Sequence, residues 1–119
     1  MVTTALDTRV RNHDGVAVVD LYGDIDRSAE AALTGAYAEA ITSTQPILLN
    51  FADVGYINST GIALIVGLLA SARRDGSRIA ACGLSEHYRQ IFEITRLSDF
   101  MPLYADEPSA VDEQRPAER

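Results

Sequence analysis

Two adjacent hydroxyl side chains, Ser59 and Thr60, are the residues of this chain best placed to do chemistry. Asn58 precedes them, Gly61 follows, and an apolar run begins directly afterwards. Asn, Ser and Thr are favoured at helix N-termini because their side-chain oxygens accept hydrogen bonds from the first backbone N–H groups. The pattern therefore places both hydroxyls where a strand turns into a helix. A phosphate added there would meet free N–H groups and the positive end of the helix dipole, although such a hydroxyl more commonly serves only as a cap.

Groups that could support catalysis are few. Asp24 and Asp26 form a close carboxylate pair that could act as acid and base, but acids are also favoured where a chain enters a helix. The histidines, His13 and His87, have no Cys or second His at ligand spacing, so we expect solvated surface residues and no metal site. The glycines around Ser59 form neither a phosphate-binding loop nor a nucleophile elbow. We therefore expect no catalytic residue and no cofactor, and we favour a binding or regulatory protein over an enzyme.

Length and charge further limit the classes of protein and partner that fit this chain. The 119 residues allow one domain with a single core. A formal net charge of −7 disfavours binding to nucleic acid or to anionic membranes. Cys82 is the only cysteine and lies in an apolar segment, which predicts a buried thiol in a reducing compartment. No signal peptide and no apolar run long enough to span a bilayer is visible, so we expect a cytoplasmic protein without membrane insertion.

The predicted elements alternate in a way that defines the fold class. Two strands, over residues 4–11 and 16–22, are joined by a turn. Helices are then predicted over 28–42, over 60–74 and from residue 85, strands over 47–51, 78–82 and 101–104, and a short helix after residue 107. Strands that alternate with helices predict an α/β domain with a mixed, mostly parallel sheet. We expect this single domain to cover residues 1–113, and residues 114–119 to form a polar, disordered tail.

The second predicted helix is apolar on two sides. At about 100° per residue, one side is expected to face the sheet. The residues on that side are Ile62, Ile65, Val66 and Leu69. Leu64 and Leu68 point the other way, where exposed apolar side chains beside a modification site would form a docking surface for a protein. Alternatively, another part of the chain, such as the C-terminal helix, covers these two leucines.

Several segments together carry a family pattern. They are residues 53–61 with the apolar helix after them, Arg73–Arg74–Asp75–Gly76, Gly83–Leu84–Ser85 and residues 91–97. This pattern resembles the STAS-domain proteins called anti-sigma-factor antagonists. Residues 21–26 are also similar to that family's glycine-and-aspartate segment after its second strand. The match extends from about residue 5 to residue 112, and its specific part is the signature over residues 58–61 with its flanks.

The resemblance implies a sheet with helices packed on one face, and it implies an activity. In this family, the unphosphorylated antagonist binds an anti-sigma factor that is also a serine/threonine kinase, and this binding frees the sigma factor. The kinase then phosphorylates a hydroxyl at the start of the second helix, the complex dissociates, and a phosphatase resets the cycle. Carried over to this chain, the acceptor is Ser59 or Thr60. The family's usual residue before the two hydroxyls is Asp, where this chain has Asn58.

The resemblance also defines an expected partner-binding surface. It combines the acids after the second strand, the start of the second helix and its outer leucines: Asp24, Asp26, Asn58, Ser59, Thr60, Gly61, Leu64 and Leu68. The expected partners are the anti-sigma factor with kinase activity and a phosphatase, with no nucleic acid; a weak homodimer is left open. The alternative is a non-phosphorylated STAS accessory subunit of a larger assembly, such as an ABC-type transporter. A small-ligand-binding module is the third hypothesis, and an enzyme is the last.

Overall fold

A five-stranded sheet forms the centre of the fold. The structure is a computed structural model, and it describes residues 4–43 and 45–114. The strands are β1 (Asp7–His13), β2 (Val16–Ile25), β3 (Ile47–Ile57), β4 (Ile79–Cys82) and β5 (Leu103–Tyr104), and the helices are α1 (Glu30–Ile41), α2 (Ser59–Arg74), α3 (Glu86–Ile94) and α4 (Glu107–Gln114). The strands lie in the order β1-β2-β3-β4-β5, and only β1 is antiparallel to its neighbour. The predicted α/β domain with a mixed, mostly parallel sheet is confirmed.

Three helices share one face of the sheet because of how the strands are connected. Each crossover from β2 to β3, from β3 to β4 and from β4 to β5 joins parallel neighbours in the same direction. Right-handed crossovers that all step the same way place their helices on the same face. The main core lies between this face and α1, α2 and α3, and it includes Leu33, Leu49, Ile65 and Phe92.

The fourth helix lies on the opposite face. Its residues Ala110 and Val111 pack with strand residues that include Val18, Leu48 and Cys82. The central strands are apolar on both faces, so the second face also needs a cover. The predicted packing of helices on one face therefore holds for α1, α2 and α3. It does not hold for α4, which covers the other face. Cys82 is 1% exposed, as predicted, and burial raises the pKa of its thiol to about 12.

A polar network fastens α4 to the sheet. The Arg11 guanidinium donates hydrogen bonds to Asp20 at 2.7 and 3.0 Å and to Glu107 at 2.6 and 2.9 Å. Asn50 donates a further bond to the Asp20 carboxylate at 2.9 Å. His13 lies at the surface as expected, with its side chain 35% exposed, but it also contacts Glu107, which the sequence did not predict. That contact joins residues 94 positions apart, a distance at which local sequence patterns carry no information.

Strands β2 and β3 both run further than predicted. β2 ends at Ile25 and β3 at Ile57, with register shifts between Asp20 and Tyr22 and between Gly23 and Asp24. Such irregularities let a pair of strands continue through residues that do not alternate cleanly. The extension matters because it carries β3 up to the residue before Asn58. Gln114, the first residue of the predicted tail, is instead the buried last residue of α4, and the rest of that tail lies outside the described residues. None of the described helices is long and apolar enough to cross a membrane.

The Arg11 network should make the fold sensitive to acid. Hydrogen bonds from Arg11 lower the pKa of Asp20 below 3.8 and the pKa of Glu107 below 4.5. A lowered pKa in the folded state means that the unfolded chain binds more protons in acid. The stability that these two carboxylates contribute is therefore complete above their ordinary pKa values, and it is lost as the pH falls through the lowered ones.

We predict that Asp20→Asn lowers the free energy of unfolding at pH 7 by about 1–3 kcal/mol, because it weakens charge-assisted hydrogen bonds in a buried network. The variant should also lose less stability than the wild type between pH 5 and pH 3. Urea unfolding at pH 7, 5 and 3 measures both effects. The exposed Asp53→Asn is the matched control and should behave as wild type. An Asp20→Asn curve parallel to the wild type across this pH range would contradict the prediction.

Candidate functional site

The start of α2 is built around an asparagine cap. Asn58 has extended backbone angles, and its side-chain oxygen accepts a hydrogen bond from the Gly61 N–H at 2.8 Å. Its backbone carbonyl accepts the first helical bond, from the Ile62 N–H at 2.9 Å. The helix start predicted from the sequence is confirmed. Ser59 and Thr60 thus occupy the first two helical positions, whose N–H groups have no acceptor within the helix.

This helix start is held against the end of β2. The Asn58 N–H donates a hydrogen bond to the Ile25 carbonyl at 3.2 Å. A side chain at Gly61 would place its Cβ 2.0 Å from the same carbonyl oxygen, so only glycine fits there. From the other side, the Ile57 N–H donates a bond to the Tyr88 hydroxyl at 2.9 Å. These contacts fix the position of the two hydroxyl residues relative to the sheet.

Both hydroxyl residues are available to a partner. Ser59 and Thr60 are exposed, and within the described part of the chain neither hydroxyl makes a hydrogen bond. The cap is made by Asn58, so neither hydroxyl is needed for it. The role of a simple cap, the commoner one for such residues, therefore does not apply to Ser59 or Thr60 here. Their use as phosphate acceptors stays a prediction.

The two acids after β2 have structural partners at this same edge. Asp26 accepts hydrogen bonds from the Ser28 N–H and hydroxyl at 2.9 and 2.5 Å, and so caps a 3₁₀ turn over residues 27–29 that contacts α2. Asp24 accepts a bond from the Thr4 N–H at 3.0 Å and holds the segment before β1. The structure thus gives Asp26 the helix-entry role and brings it to the edge where α2 begins. Contact of either acid with a partner stays a prediction.

The side of α2 that is exposed differs from the side that its helical periodicity predicts to be exposed. Leu68 is only 8% exposed and belongs to the core, Leu64 is half-buried, and Val66 is 45% exposed. The expectations that Leu68 is exposed and that Val66 faces the sheet are therefore wrong. The physical reason is that α1 packs along this flank of α2, where the Tyr37 hydroxyl donates a bond to Asp75 at 2.6 Å. The C-terminal helix is not the cover, because α4 lies on the other face of the sheet.

The exposed side of α2 is instead a strip of small residues. Starting from Ser59 and Thr60, it continues along the helix at a spacing of three and four residues. Its further members are Ala63, Val66, Gly67 and Ala70. We call this set, with the two hydroxyl residues, the α2 strip. Small side chains let the backbone of another protein approach closely, and the spacing from Ser59 is the sequence signal that would have identified the strip.

An exposed tyrosine adds to the site at the end of β3. Tyr56 is 54% exposed and stands two residues before Asn58, opposite Asp24 in the register of β2 and β3. The sequence pattern does not mark Tyr56 as a site residue, because a tyrosine in a strand is ordinarily a packing residue. Exposed aromatic side chains are enriched at protein interfaces. Among the described residues, no group of three or more His, Cys, Asp or Glu is placed to hold a metal ion.

Comparisons with known proteins identify the family. The sequence profile of the STAS domain matches residues 7–110. The anti-sigma F factor antagonist of Paenibacillus polymyxa is 26% identical over 110 residues, which are 91% of this chain and 94% of that protein. This chain belongs to the STAS domain family, as predicted from the sequence.

Solved structures share the fold. An anti-sigma factor antagonist from Mycobacterium paratuberculosis superimposes with a TM-score of 0.80 at 23% identity, over 94% of this chain and 96% of that one. The Bacillus cell fate determinant SpoIIAA in its phosphorylated form gives a TM-score of 0.68 at 22% identity, over 91% of this chain and 99% of that one.

We predict that Leu68→Asp and Val66→Asp differ sharply in stability. Leu68→Asp buries an unpaired carboxylate in the core and should cost at least about 3 kcal/mol, whereas Val66→Asp should change the free energy of unfolding by less than about 1 kcal/mol. Thermal unfolding followed by circular dichroism measures both. Equal melting temperatures for the two variants would show that the helix faces are assigned wrongly.

Proposed function

We propose that this protein is an anti-sigma-factor antagonist that binds an anti-sigma factor with serine/threonine kinase activity. In this proposal the partner docks on the start of α2, and phosphorylation of Ser59 or Thr60 by that partner ends the complex. A phosphatase restores the active form. The curated relative from Paenibacillus carries the name anti-sigma F factor antagonist, which supports the class of partner. The protein itself acts by binding and not by catalysis.

One observation carries the proposal. Two exposed hydroxyls without hydrogen bonds in the described structure occupy the first turn of a helix whose start is fixed against Ile25. A kinase needs an accessible acceptor, and a switch needs an acceptor inside the binding surface. The α2 strip supplies the surrounding surface, since Ala63 and Gly67 present almost no side chain that would hold a partner away.

The physical effect of a phosphate at this place supports a switch. It adds about −1.5 to −2 charges at neutral pH. The N–H groups of the first turn and the helix dipole favour an anion there, so the fold should tolerate it. A partner surface shaped for a neutral hydroxyl would not tolerate the phosphate. A binding penalty of about 3 kcal/mol reduces the affinity for the partner more than a hundredfold.

The neutral cap changes the electrostatics of this switch. Asn58 makes the capping hydrogen bond without a negative charge, so a phosphate on Ser59 or Thr60 meets no repulsion from the cap residue. Of the acids after β2, Asp26 caps the 3₁₀ turn that contacts α2, and it is already engaged with Ser28. Phosphorylation of this chain should therefore disturb the helix start less than it would beside a capping Asp.

The test is to map the phosphate. The purified protein is incubated with each candidate anti-sigma factor kinase and ATP, and the product is analysed by intact mass and by site mapping. We expect one phosphate per chain. One of the two single variants, Ser59→Ala or Thr60→Ala, should lose it, and the double variant should not be phosphorylated. Thr34→Ala, which removes an exposed hydroxyl from α1, is the control and should be modified as wild type.

Some results would overturn this assignment. Phosphate found only on Thr42, Ser71 or Ser85 would remove the switch from the start of α2. Full modification of the Ser59→Ala/Thr60→Ala double variant would do the same. Neither alanine substitution should alter the fold, because both hydroxyls are exposed and the cap is made by Asn58.

A further inference from the structure

A large cavity lies at the opposite end of α2 from the two hydroxyls. Its volume is about 880 Å³, within the range of small-molecule sites. It is bounded by the C-terminal half of α2, the start of β4, the segment between α3 and β5, and the end of α4. The apolar part of its lining includes Val66, Leu69, Ile79, Leu97 and Phe100. The cavity is thus a concavity with a largely apolar lining.

Arginines are concentrated around this cavity in a chain with a net charge of −7. Arg73, Arg78 and Arg96 all line it, against two acids, Asp99 and Glu113. Arg96 is paired with Asp99 at 2.8 Å. Arg73 lies over the Phe100 ring, 5.8 Å from its centroid, and within the described residues neither Arg73 nor Arg78 makes an ion pair. Two guanidinium groups are therefore available beside an apolar cavity.

A buried acceptor at the same cavity lacks a donor. Gln114 is 5% exposed and lines the cavity, and its side-chain oxygen has no hydrogen-bond partner among the residues that the structure describes. Buried side-chain acceptors are nearly always paired, so an unpaired one marks a place where a donor beyond the described residues belongs. The lining therefore presents three different requirements to a ligand: an apolar body, an anionic group and a hydrogen-bond donor.

We propose that this cavity binds an amphipathic small-molecule carboxylate. Its apolar chain or ring would pack against Val66, Leu69 and Phe100, and its carboxylate would be held by Arg78 with Arg73. A planar guanidinium matches a carboxylate with two parallel hydrogen bonds, which a neutral head group cannot reproduce. A donor on the ligand would satisfy Gln114. From Thr60 to Arg73 the helix rises about 20 Å, so the arginine end of the cavity lies away from the two hydroxyls, although Val66 and Ala70 of the α2 strip also line the cavity.

The experiment uses decanoate and decan-1-ol as probes, because they share the apolar chain. Decan-1-ol can donate to Gln114 but carries no charge, so a preference for decanoate tests the contact of the carboxylate with the arginines. Each is titrated into the ¹⁵N-labelled full chain, and amide shifts and calorimetry are recorded. We expect saturable one-to-one binding of decanoate, with shifts in residues 66–79 and 95–104 and none in residues 58–61. Decan-1-ol should bind at least fivefold more weakly.

Three variants locate the site. Arg78→Gln should weaken decanoate binding at least fivefold, and Ala70→Phe, which fills the cavity from an exposed position, should abolish it. Arg27→Gln removes an exposed arginine elsewhere and should leave the affinity unchanged. Equal affinity for both probes, equal affinity of Arg78→Gln and Arg27→Gln, or no saturable binding would each overturn the proposal. None of these measurements involves a kinase or an anti-sigma factor, so their failure would leave the proposed function unaffected.

Discussion

The contact between Gly61 and the Ile25 carbonyl is the constraint on which the rest of the site depends. No side chain can occupy position 61, because its Cβ would lie 2.0 Å from that oxygen. The close approach lets the same carbonyl accept the Asn58 N–H, and this bond fixes where α2 begins relative to the end of β2. Two neighbouring parallel strands and one helix start are thereby joined at a single edge of the sheet.

A rigid helix start has a consequence for regulation. Asn58 caps the helix and Gly61 contacts the Ile25 carbonyl. Among the described contacts, the hydroxyls of Ser59 and Thr60 therefore have no structural role. A modification at either position can then act on a partner without first having to break the fold. Tyr88 strengthens this arrangement from the opposite side, since its hydroxyl accepts the Ile57 N–H just before the cap.

Local patterns were sufficient where local physics decides the structure. The cap over residues 58–61, the hairpin turn at Asp14 and Gly15, and the alternation of strands with helices all depend on residues close in sequence. Local patterns do not predict features that depend on packing between distant elements. The helical period of α2 defines its faces but not which face a neighbour covers, so Leu68 and Val66 were assigned to the wrong sides. The contacts of His13 with Glu107 and of Ile57 with Tyr88 join distant elements, and no spacing in the sequence predicts them.

The central claim is that a phosphate at the start of α2 changes recognition and leaves the fold intact. The most direct measurement compares the unphosphorylated and the singly phosphorylated protein, separated by ion exchange, in affinity for the same anti-sigma factor and in melting temperature. The account predicts an affinity at least a hundredfold lower for the phosphorylated form and melting temperatures within a few degrees of each other. Equal affinities, or a phosphorylated form that has lost its folded structure, would contradict it.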